Sequence, residues 1–180
     1  MKSERSSTVI VTHRIQLAKW DLETVSEVKS VLFVCLGNIC RSPTGEGVLL
    51  HAIQQQGLES RCIVDSAGTS GYHVGQAADY RMRESAARRG YSLLSRSRQL
   101  THQDMLEFDL VIAMDRENRL GIEAVNSQPS ARIHLLSDFL DDAWPIDVPD
   151  PYYGGDAGFE EVLDMIEAAC PKILAELLEG

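Results

Sequence analysis

The sequence lacks the long apolar segments that membrane and secreted proteins need. No apolar run approaches the roughly 20 residues that span a bilayer. The amino-terminal stretch Thr8-Val9-Ile10-Val11 is too short for the apolar part of a secretory signal, and Arg14 and Lys19 follow it closely. We therefore expect a cytoplasmic protein with no membrane partner, whose four cysteines are free thiols in a reducing compartment.

Motifs for metals and nucleotides are also absent. The sequence contains no Cys-x-x-Cys pair and its five histidines are scattered, so we expect no structural zinc site and no cofactor. It has no G-x4-G-K-[ST] segment, and its glycines at positions 68, 71 and 75 do not fit G-x-G-x-x-G. These absences exclude the common nucleotide-binding classes.

Positive charge is scarce and unevenly distributed. The formal net charge is -10, and a general nucleic-acid binder normally shows a basic face, so we expect no nucleic-acid partner. After His134 the only basic residue is Lys172. One arginine-rich stretch could bind an anionic partner, although a solvated helix face is the commoner explanation. Its members are Arg81, Arg83, Arg88, Arg89, Arg96 and Arg98.

The apolar segments that are present are short and alternate with helical ones. An apolar fraction of 44% and a charged fraction of 24% are typical of a soluble globular domain. Strands that alternate with helices favour an α/β fold, here a single three-layer domain with a four-stranded, mostly parallel, doubly wound sheet flanked by helices. The pattern predicts strands at 31–35, 62–64, 110–113 and 133–136, and helices at about 43–56, 79–89, after 115, and 159–178.

Residues 1–29 precede the first predicted strand. They mix charged and small polar residues, a composition typical of a poorly ordered tail, although apolar residues between positions 15 and 25 could form a short amphipathic helix. We expect an amino-terminal extension over 1–29 and one domain over 30–180.

The loop CLGNICRS, residues 35–42, carries the main chemical motif. It begins where a buried strand ends and finishes where a helix begins near Pro43. Successive backbone N–H groups in such a turn can point at one anion, and the helix N-terminus adds partial positive charge. Arg41 can bind two phosphate oxygens with its planar fork, and the same field favours the thiolate form of Cys35. The predicted phosphate loop consists of Leu36, Gly37, Asn38, Ile39, Cys40, Arg41 and Ser42.

These residues leave alternatives open. Cys and Arg six positions apart occur by chance, and Cys35 and Cys40 could be inert core thiols. Cleavage of an aryl phosphate needs a proton donor for the departing oxygen. Asp150 lies between Pro149 and Pro151, which limits where its carboxyl can point, but an ordinary turn aspartate is a comparable interpretation.

The segment Val34–Pro43, VCLGNICRSP, resembles the signature of the low-molecular-weight protein tyrosine phosphatases. The resemblance covers roughly residues 30–178, with the family's signatures in order, and leaves out residues 1–29. The other matching segments are Asp65-Ser66-Ala67-Gly68-Thr69, Tyr72-His73-Val74-Gly75, Ala113-Met114-Asp115 and Pro149-Asp150-Pro151-Tyr152-Tyr153-Gly154-Gly155.

The resemblance implies a role for each matching position. Cys35 would be the nucleophile that becomes a phosphocysteine, and Arg41 would bind the phosphate. Asp150 would protonate the leaving oxygen and later deprotonate the attacking water. Cys40 would be the second thiol, which can form a disulfide with Cys35 and protect it from over-oxidation.

Further matching positions would support the loop or line the pocket. Asn38, Ser42 and Ser66 would hold the loop and tune the thiolate. His73 would either join them or be an ordinary surface histidine. The aromatic residues expected around the pocket mouth are Tyr72, Tyr152 and Tyr153.

The predicted function is therefore hydrolysis of phosphotyrosine in proteins, or of small aryl phosphates, by a monomer without a metal. An arsenate reductase on the same fold would carry extra cysteines between about 80 and 100, where this chain has none. Protein-arginine phosphatases tend to have Thr where this chain has Ile39, whose bulk better suits a tyrosine ring. A non-catalytic phosphate-binding module could keep Arg41 while losing Cys35 or Asp150, and both are present.

Overall fold

The computed structural model describes residues 27–126 and 128–179. At its centre is a sheet of four strands in the order β2-β1-β3-β4, and every neighbouring pair is parallel. The predicted three-layer α/β fold is confirmed, with a sheet that is parallel throughout. The strands are β1 (Lys29–Cys35), β2 (Cys62–Gly68), β3 (Leu110–Ala113) and β4 (Arg132–Leu135).

Helices cover both faces of the sheet. The continuous apolar run of β1 places Val31 and Phe33 against one helical layer, and Leu32 and Val34 against the other, with all four side chains fully buried. The helices are α1 (Arg41–Gln55), α2 (Tyr80–Arg88), α3 (Asp104–Glu107), α4 (Arg116–Val125) and α5 (Asp156–Glu179), with short 3-10 helices at Leu136–Phe139 and Pro151–Tyr153.

The ends of several helices follow from local chemistry. The Asp79 carboxylate accepts a hydrogen bond from the backbone N–H of Arg81 at the start of α2, and Asp115 caps α4 in the same way. Gly57 and Gly90 lie just beyond α1 and α2 with positive φ angles of 66° and 87°, a conformation that terminates helices at low cost for glycine.

Some boundaries differ from prediction because tertiary packing overrides local composition. β2 continues through the polar residues Asp65 and Ser66 to Gly68, since each of them pairs with a residue of the buried strand β1. The 3-10 helices and α3 were not predicted.

Helix α5 begins at Asp156 and passes through Pro171 without ending. Pro171 is exposed while its neighbour Cys170 is buried, so the proline ring lies on the solvent side of the helix.

The topology places the end of β1 where a ligand can reach it. The chain passes from β1 to β2 on one side and later returns to β3 on the other side. The carboxyl end of β1 is therefore a switch point, where open α/β sheets bind ligands. Cys35 is the last residue of this strand.

The extension predicted over residues 1–29 lies outside the described residues as far as position 26, and β1 already begins at Lys29. Within the described ranges, no helix has both the length and the apolar character needed to cross a membrane.

Candidate active site

A cavity of about 510 Å³ lies at the carboxyl end of β1. Three segments surround it: the loop after β1, the loop over 70–76, and the turn over 150–153. Most of the residues predicted for the site therefore converge, although they come from distant parts of the chain. The predicted residues that line the cavity are Cys35, Leu36, Gly37, Ile39, Cys40, Arg41, Tyr72, His73, Asp150, Tyr152 and Tyr153.

The loop after β1 is wound tightly over the end of β2. Asn38 has a positive φ of 53°, in the left-handed region that Asn tolerates better than most residues. A Cβ atom added at Gly68 would lie 2.8 Å from the carbonyl oxygen of Leu36 and 3.1 Å from the backbone nitrogen of Asn38. Glycine at position 68 thus allows the loop to pack directly on the strand below it.

The sulfur of Cys35 lies among hydrogen-bond donors. The residue is buried, with 3% of its surface exposed. The backbone N–H of Asn38 donates to Sγ at 3.2 Å, and Ser42 Oγ lies 3.1 Å from Sγ. The Asn38 N–H and the Ser42 hydroxyl thus place two polar hydrogens within reach of the sulfur.

Asn38, Ser42 and Ser66 do not line the cavity but hold its loop from behind. Asn38 Nδ2 donates to Ser42 Oγ and to Ser66 Oγ, each at 2.9 Å. Asn38 Oδ1 accepts from the backbone N–H of Arg98 at 2.8 Å. Every polar atom of the buried amide is therefore used, and the conformation of the loop is fixed by side chains as well as by backbone.

Arg41 is the first residue of α1 and is held by two carboxylates. Nη1 donates to Asp115 Oδ2 at 2.5 Å and to the carbonyl oxygen of Val148, while Nη2 donates to Asp150 Oδ2 at 2.8 Å. Burial alone would lower the pKa of Arg41, but the negative charges of Cys35, Asp150 and Asp115 outweigh it and raise the pKa. The guanidinium is a permanent cation beside the Cys35 sulfur.

Asp150 faces both Arg41 and the cavity. Its Oδ1 accepts from the backbone N–H of Tyr152 at 3.1 Å, which caps the short 3-10 helix that begins at Pro151. Its side chain is 40% exposed. The two flanking prolines and this cap restrict the carboxyl to a position where it can exchange protons with a bound molecule or with water.

Aromatic side chains form the rim. The rings of Tyr152 and Tyr153 meet edge to face, with centroids 5.0 Å apart, and Tyr72 and Tyr153 are almost fully exposed. A Cβ at Gly37 would come within 3.0 Å of His73 Cδ2, so the imidazole packs over the loop. His73 bonds to Gln76 at 3.1 Å. Its place is thus on the rim, apart from the amide-hydroxyl network behind the loop.

Cys40 lies on the same loop and is also buried. Burial, followed by the charges of Asp79, Cys35 and Asp150, raises the pKa of Cys40 well above its usual range. Cys40 is therefore a neutral thiol near neutral pH. All four cysteines of the chain are free and buried, and among residues 27–126 and 128–179 no group of three His, Cys, Asp or Glu side chains could hold a metal ion.

Sequence reasoning missed several residues of the site. Asp115 belongs to one of the matching segments, but its ion pair with Arg41 joins residues that are 74 positions apart, so no local pattern indicates it. Glu46, which accepts from Ser66 Oγ at 2.5 Å, is not among the residues predicted for the site. One pattern could have found it, because Ser42 and Glu46 are four residues apart and so share a face of α1. Ser70 and Gln76 also line the cavity without having been predicted.

Most of the chain is similar to known proteins of one family. A family model described as low molecular weight phosphotyrosine protein phosphatase matches residues 30–180. The low molecular weight protein-tyrosine-phosphatase YfkJ of Bacillus subtilis is 41% identical over 82% of this chain and 95% of its own length.

Solved structures with the same architecture include two relevant neighbours. The crystal structure of a protein tyrosine phosphatase from Entamoeba histolytica with Hepes in the active site has a TM-score of 0.80 and 44% identity, covering 84% of this chain and 98% of that one. A Drosophila arginine phosphatase has a TM-score of 0.76 and 31% identity, covering 81% of this chain and 96% of that one.

Proposed function

The chain belongs to the low molecular weight phosphotyrosine protein phosphatase family, and we propose that it hydrolyses phosphotyrosine and small aryl phosphates through a phosphocysteine on Cys35. One observation carries this proposal. Cys35, Arg41 and Asp150 line one cavity, so a nucleophile, an anion-binding group and a proton donor can all reach the same phosphate.

In the first step Cys35 Sγ attacks phosphorus and the bond from phosphorus to the aryl oxygen breaks. The leaving oxygen departs with the bonding electron pair and takes a proton from the Asp150 carboxyl. Arg41 and the loop N–H groups stabilise the charge on the three remaining phosphoryl oxygens in the transition state. The products of this step are the phenol and a phosphocysteine.

In the second step water attacks phosphorus and the bond from sulfur to phosphorus breaks. The Asp150 carboxylate accepts a proton from the water, which restores its acid form, and Cys35 leaves as the thiolate. Inorganic phosphate is released. Division of the hydrolysis into two steps lets one positioned carboxyl serve both as acid and as base.

The walls of the cavity favour an aromatic substrate. Ile39, Tyr72 and Tyr152 supply apolar surface at its lining, and stacking of a phenyl ring on an aromatic side chain adds about 0.5–1.5 kcal/mol. A phosphotyrosine side chain has both the ring for these walls and the phosphate for the loop.

Phosphoarginine is the second candidate substrate. It is favoured by a specific observation, since one of the structural neighbours is named an arginine phosphatase. The branch that acts on phosphoarginine tends to carry Thr where Ile39 lines this cavity. We infer that the Ile39 side chain favours a phenyl ring over a guanidinium, so Ile39→Thr should raise the ratio of phosphoarginine to phosphotyrosine hydrolysis.

Trapping of the intermediate tests the mechanism. Wild type, Cys35→Ser and Asp150→Ala are mixed with p-nitrophenyl phosphate, quenched in acid within milliseconds and examined by intact mass. We expect a phosphate adduct on wild type, none on Cys35→Ser, and the largest fraction on Asp150→Ala, because that variant lacks the base for the second step. Turnover by wild type with no adduct in either Cys35-containing protein would exclude the covalent route.

A further inference from the structure

A chain of hydrogen bonds leads from the Cys35 sulfur to a carboxylate on α1. Ser42 Oγ lies 3.1 Å from Cys35 Sγ, and Asn38 Nδ2 donates to Ser42 Oγ and to Ser66 Oγ at 2.9 Å each. Ser66 Oγ then donates to Glu46 Oε2 at 2.5 Å. Glu46 does not line the substrate cavity, and the proposed mechanism gives it no step.

The Glu46 carboxylate determines which groups donate and which accept in this series of hydrogen bonds. An ionised carboxylate can only accept, so Ser66 must donate its single hydroxyl hydrogen to Glu46. The lone pairs of Ser66 are then left to accept from Asn38 Nδ2. The Asn38 amide is fixed from its other side as well, because the backbone N–H of Arg98 donates to Oδ1 at 2.8 Å.

Ser42 connects these hydrogen bonds to the Cys35 sulfur. Ser42 Oγ accepts from Asn38, so its own hydrogen is free to point elsewhere. Two acceptors are in reach: Cys35 Sγ at 3.1 Å and the carbonyl oxygen of Ala67 at 3.2 Å. A negatively charged sulfur is the stronger acceptor, so an ordered chain presents the Ser42 hydrogen to the thiolate.

The pKa of Glu46 reflects its burial, its hydrogen bonds and the charges near it. The carboxyl is partly buried, and burial raises the pKa of Glu46, while hydrogen bonds from Ser66 and Ser95 act in the opposite direction. Asp65 also raises it and Arg98 lowers it. Asp65 and Arg98 are themselves paired at 2.9 Å, and their effects on the pKa of Glu46 are opposite in direction.

Glu46 also has a route to solvent that avoids the substrate cavity. It lines a separate cavity of about 210 Å³. His51 lines the same cavity, one turn and a half further along α1. Protons can therefore reach Glu46 while a phosphate is bound at Cys35.

We propose that Glu46 is a positioning residue of this reaction, whose carboxylate orients Ser66 and Asn38 so that Ser42 donates to Cys35 Sγ. The inference rests on the proposed function, in which Cys35 is the nucleophile. It assigns Glu46 an effect that acts through hydrogen-bond order and not through its charge.

The direction of the pH shift in Cys35 reactivity distinguishes an effect of hydrogen-bond order from an effect of the Glu46 charge. A negative charge near a thiolate disfavours it, so removal of the Glu46 charge alone would make Cys35 reactive at lower pH. Loss of hydrogen-bond order removes a donor from the sulfur and makes Cys35 reactive only at higher pH. The two accounts therefore predict opposite shifts.

The experiment measures the rate of alkylation of Cys35 by iodoacetamide between pH 4 and pH 9, with Cys35→Ser used to identify the modified site by mass. In Glu46→Ala we expect the midpoint of the profile to rise by about one pH unit, with alkylation about tenfold slower below that midpoint. The exposed Glu59 supplies the matched control, and Glu59→Gln should match wild type. A Glu46→Ala profile that is unchanged or moves to lower pH overturns the proposal.

The Glu46→Gln variant shows whether position 46 needs a hydrogen-bond acceptor or a negative charge. Its amide oxygen can still accept from Ser66, so its profile should stay within about threefold of wild type. A Gln variant as slow as the Ala variant would contradict the proposal, because charge would then be required.

A double-mutant cycle tests the path. If Glu46 acts through Ser66, then Glu46→Ala should add nothing to the alkylation defect of Ser66→Ala. Additive defects would overturn the proposed path. If Glu46→Ala fails to fold, as judged by thermal melting, Ser66→Ala takes its place: loss of the hydroxyl between Asn38 and Glu46 should also raise the midpoint, and an unchanged profile overturns the proposed path. Alkylation needs no turnover, so a wild type that is alkylated but hydrolyses nothing would end the proposed function while leaving the Glu46 inference open to its own result.

Discussion

Arg41 Nη2 donates to Asp150 Oδ2 at 2.8 Å, which pairs the proposed phosphate-binding group with the proposed general acid. The other nitrogen, Nη1, donates to Asp115, whose side chain is 15% exposed against 40% for Asp150. A phosphate that binds Arg41 must compete with one of these carboxylates, and the more exposed Asp150 is the easier to displace. Binding of substrate would then free the Asp150 carboxyl to take up the proton that it delivers.

The acid role of Asp150 predicts a dependence on the leaving group. In Asp150→Ala, kcat/KM for phenyl phosphate should fall by roughly 10²–10³-fold. The loss for p-nitrophenyl phosphate should be far smaller, because nitrophenolate leaves without a proton. The quantity kcat/KM isolates the first chemical step, in which Asp150 acts as acid. Equal losses on the two substrates would remove Asp150 from that role.

Arg41→Lys should weaken both phosphate binding and catalysis. A lysine ammonium is a point charge that cannot form the planar fork with which Arg41 would bind two oxygens. We expect kcat/KM to fall by about 10²-fold or more, and inhibition by inorganic phosphate to weaken. Arg116 is an exposed neighbour that pairs with Asp147, and Arg116→Lys is the matched control. Similar small effects in both variants would argue against a special role for Arg41.

Cys40→Ser should make oxidation irreversible. Peroxide converts the Cys35 thiolate to a sulfenic acid, and the Cys40 thiol would condense with it, with loss of water, to give a disulfide that dithiothreitol reduces. Oxidation also removes the Cys35 charge, one of the causes that raise the pKa of Cys40. The measurement is activity recovered by dithiothreitol after peroxide. Cys62→Ser, which alters a buried thiol elsewhere, should recover as wild type does.

If Cys40→Ser recovers fully as well, Cys40 does not trap the oxidised nucleophile. That result would remove the redox role implied by the resemblance while leaving the hydrolytic mechanism intact.

The raised pKa of Glu46 predicts that the stability of the protein depends on pH. Burial raises the pKa of Glu46 in the folded protein, so folding favours its protonated form. This contribution is fully present below the pKa of the unfolded chain, about 4.3, and is lost as pH rises through the higher folded value. Wild type should therefore lose free energy of unfolding relative to Glu46→Gln as pH rises through this window. Urea denaturation of both proteins across it is the measurement, and a constant difference would contradict the prediction.

Much of the fold could be predicted because its determinants are local. The strand at Leu110–Ala113 matched its predicted bounds, since a short buried apolar segment between Asp109 and Asp115 leaves little choice. Asp79 and Gly90 marked the ends of α2 for equally local reasons. The carboxyl half of β2 was missed because Asp65 and Ser66 are polar and are held in the strand only by pairing with β1.

The residues of the site also differ in how far the local sequence could predict them. The loop from Cys35 to Arg41 was predictable because a strand end, an anion-binding turn and a helix start are contiguous in the sequence. The acid role proposed for Asp150 comes from resemblance to a family, since a carboxylate between two prolines has other uses. The partners of the loop were not predictable. Asp115 reaches Arg41, and Arg98 reaches Asn38, only through the long-range arrangement of the sheet.

The central claim is tested most directly by phosphate release from a phosphotyrosine peptide and a phosphoarginine peptide, side by side, with wild type and Cys35→Ser. We predict that wild type hydrolyses the phosphotyrosine peptide faster and that Cys35→Ser hydrolyses neither. Hydrolysis of the phosphoarginine peptide alone would keep the mechanism and overturn the substrate. Failure of wild type to release phosphate from either peptide, or activity that survives in Cys35→Ser, would contradict the account.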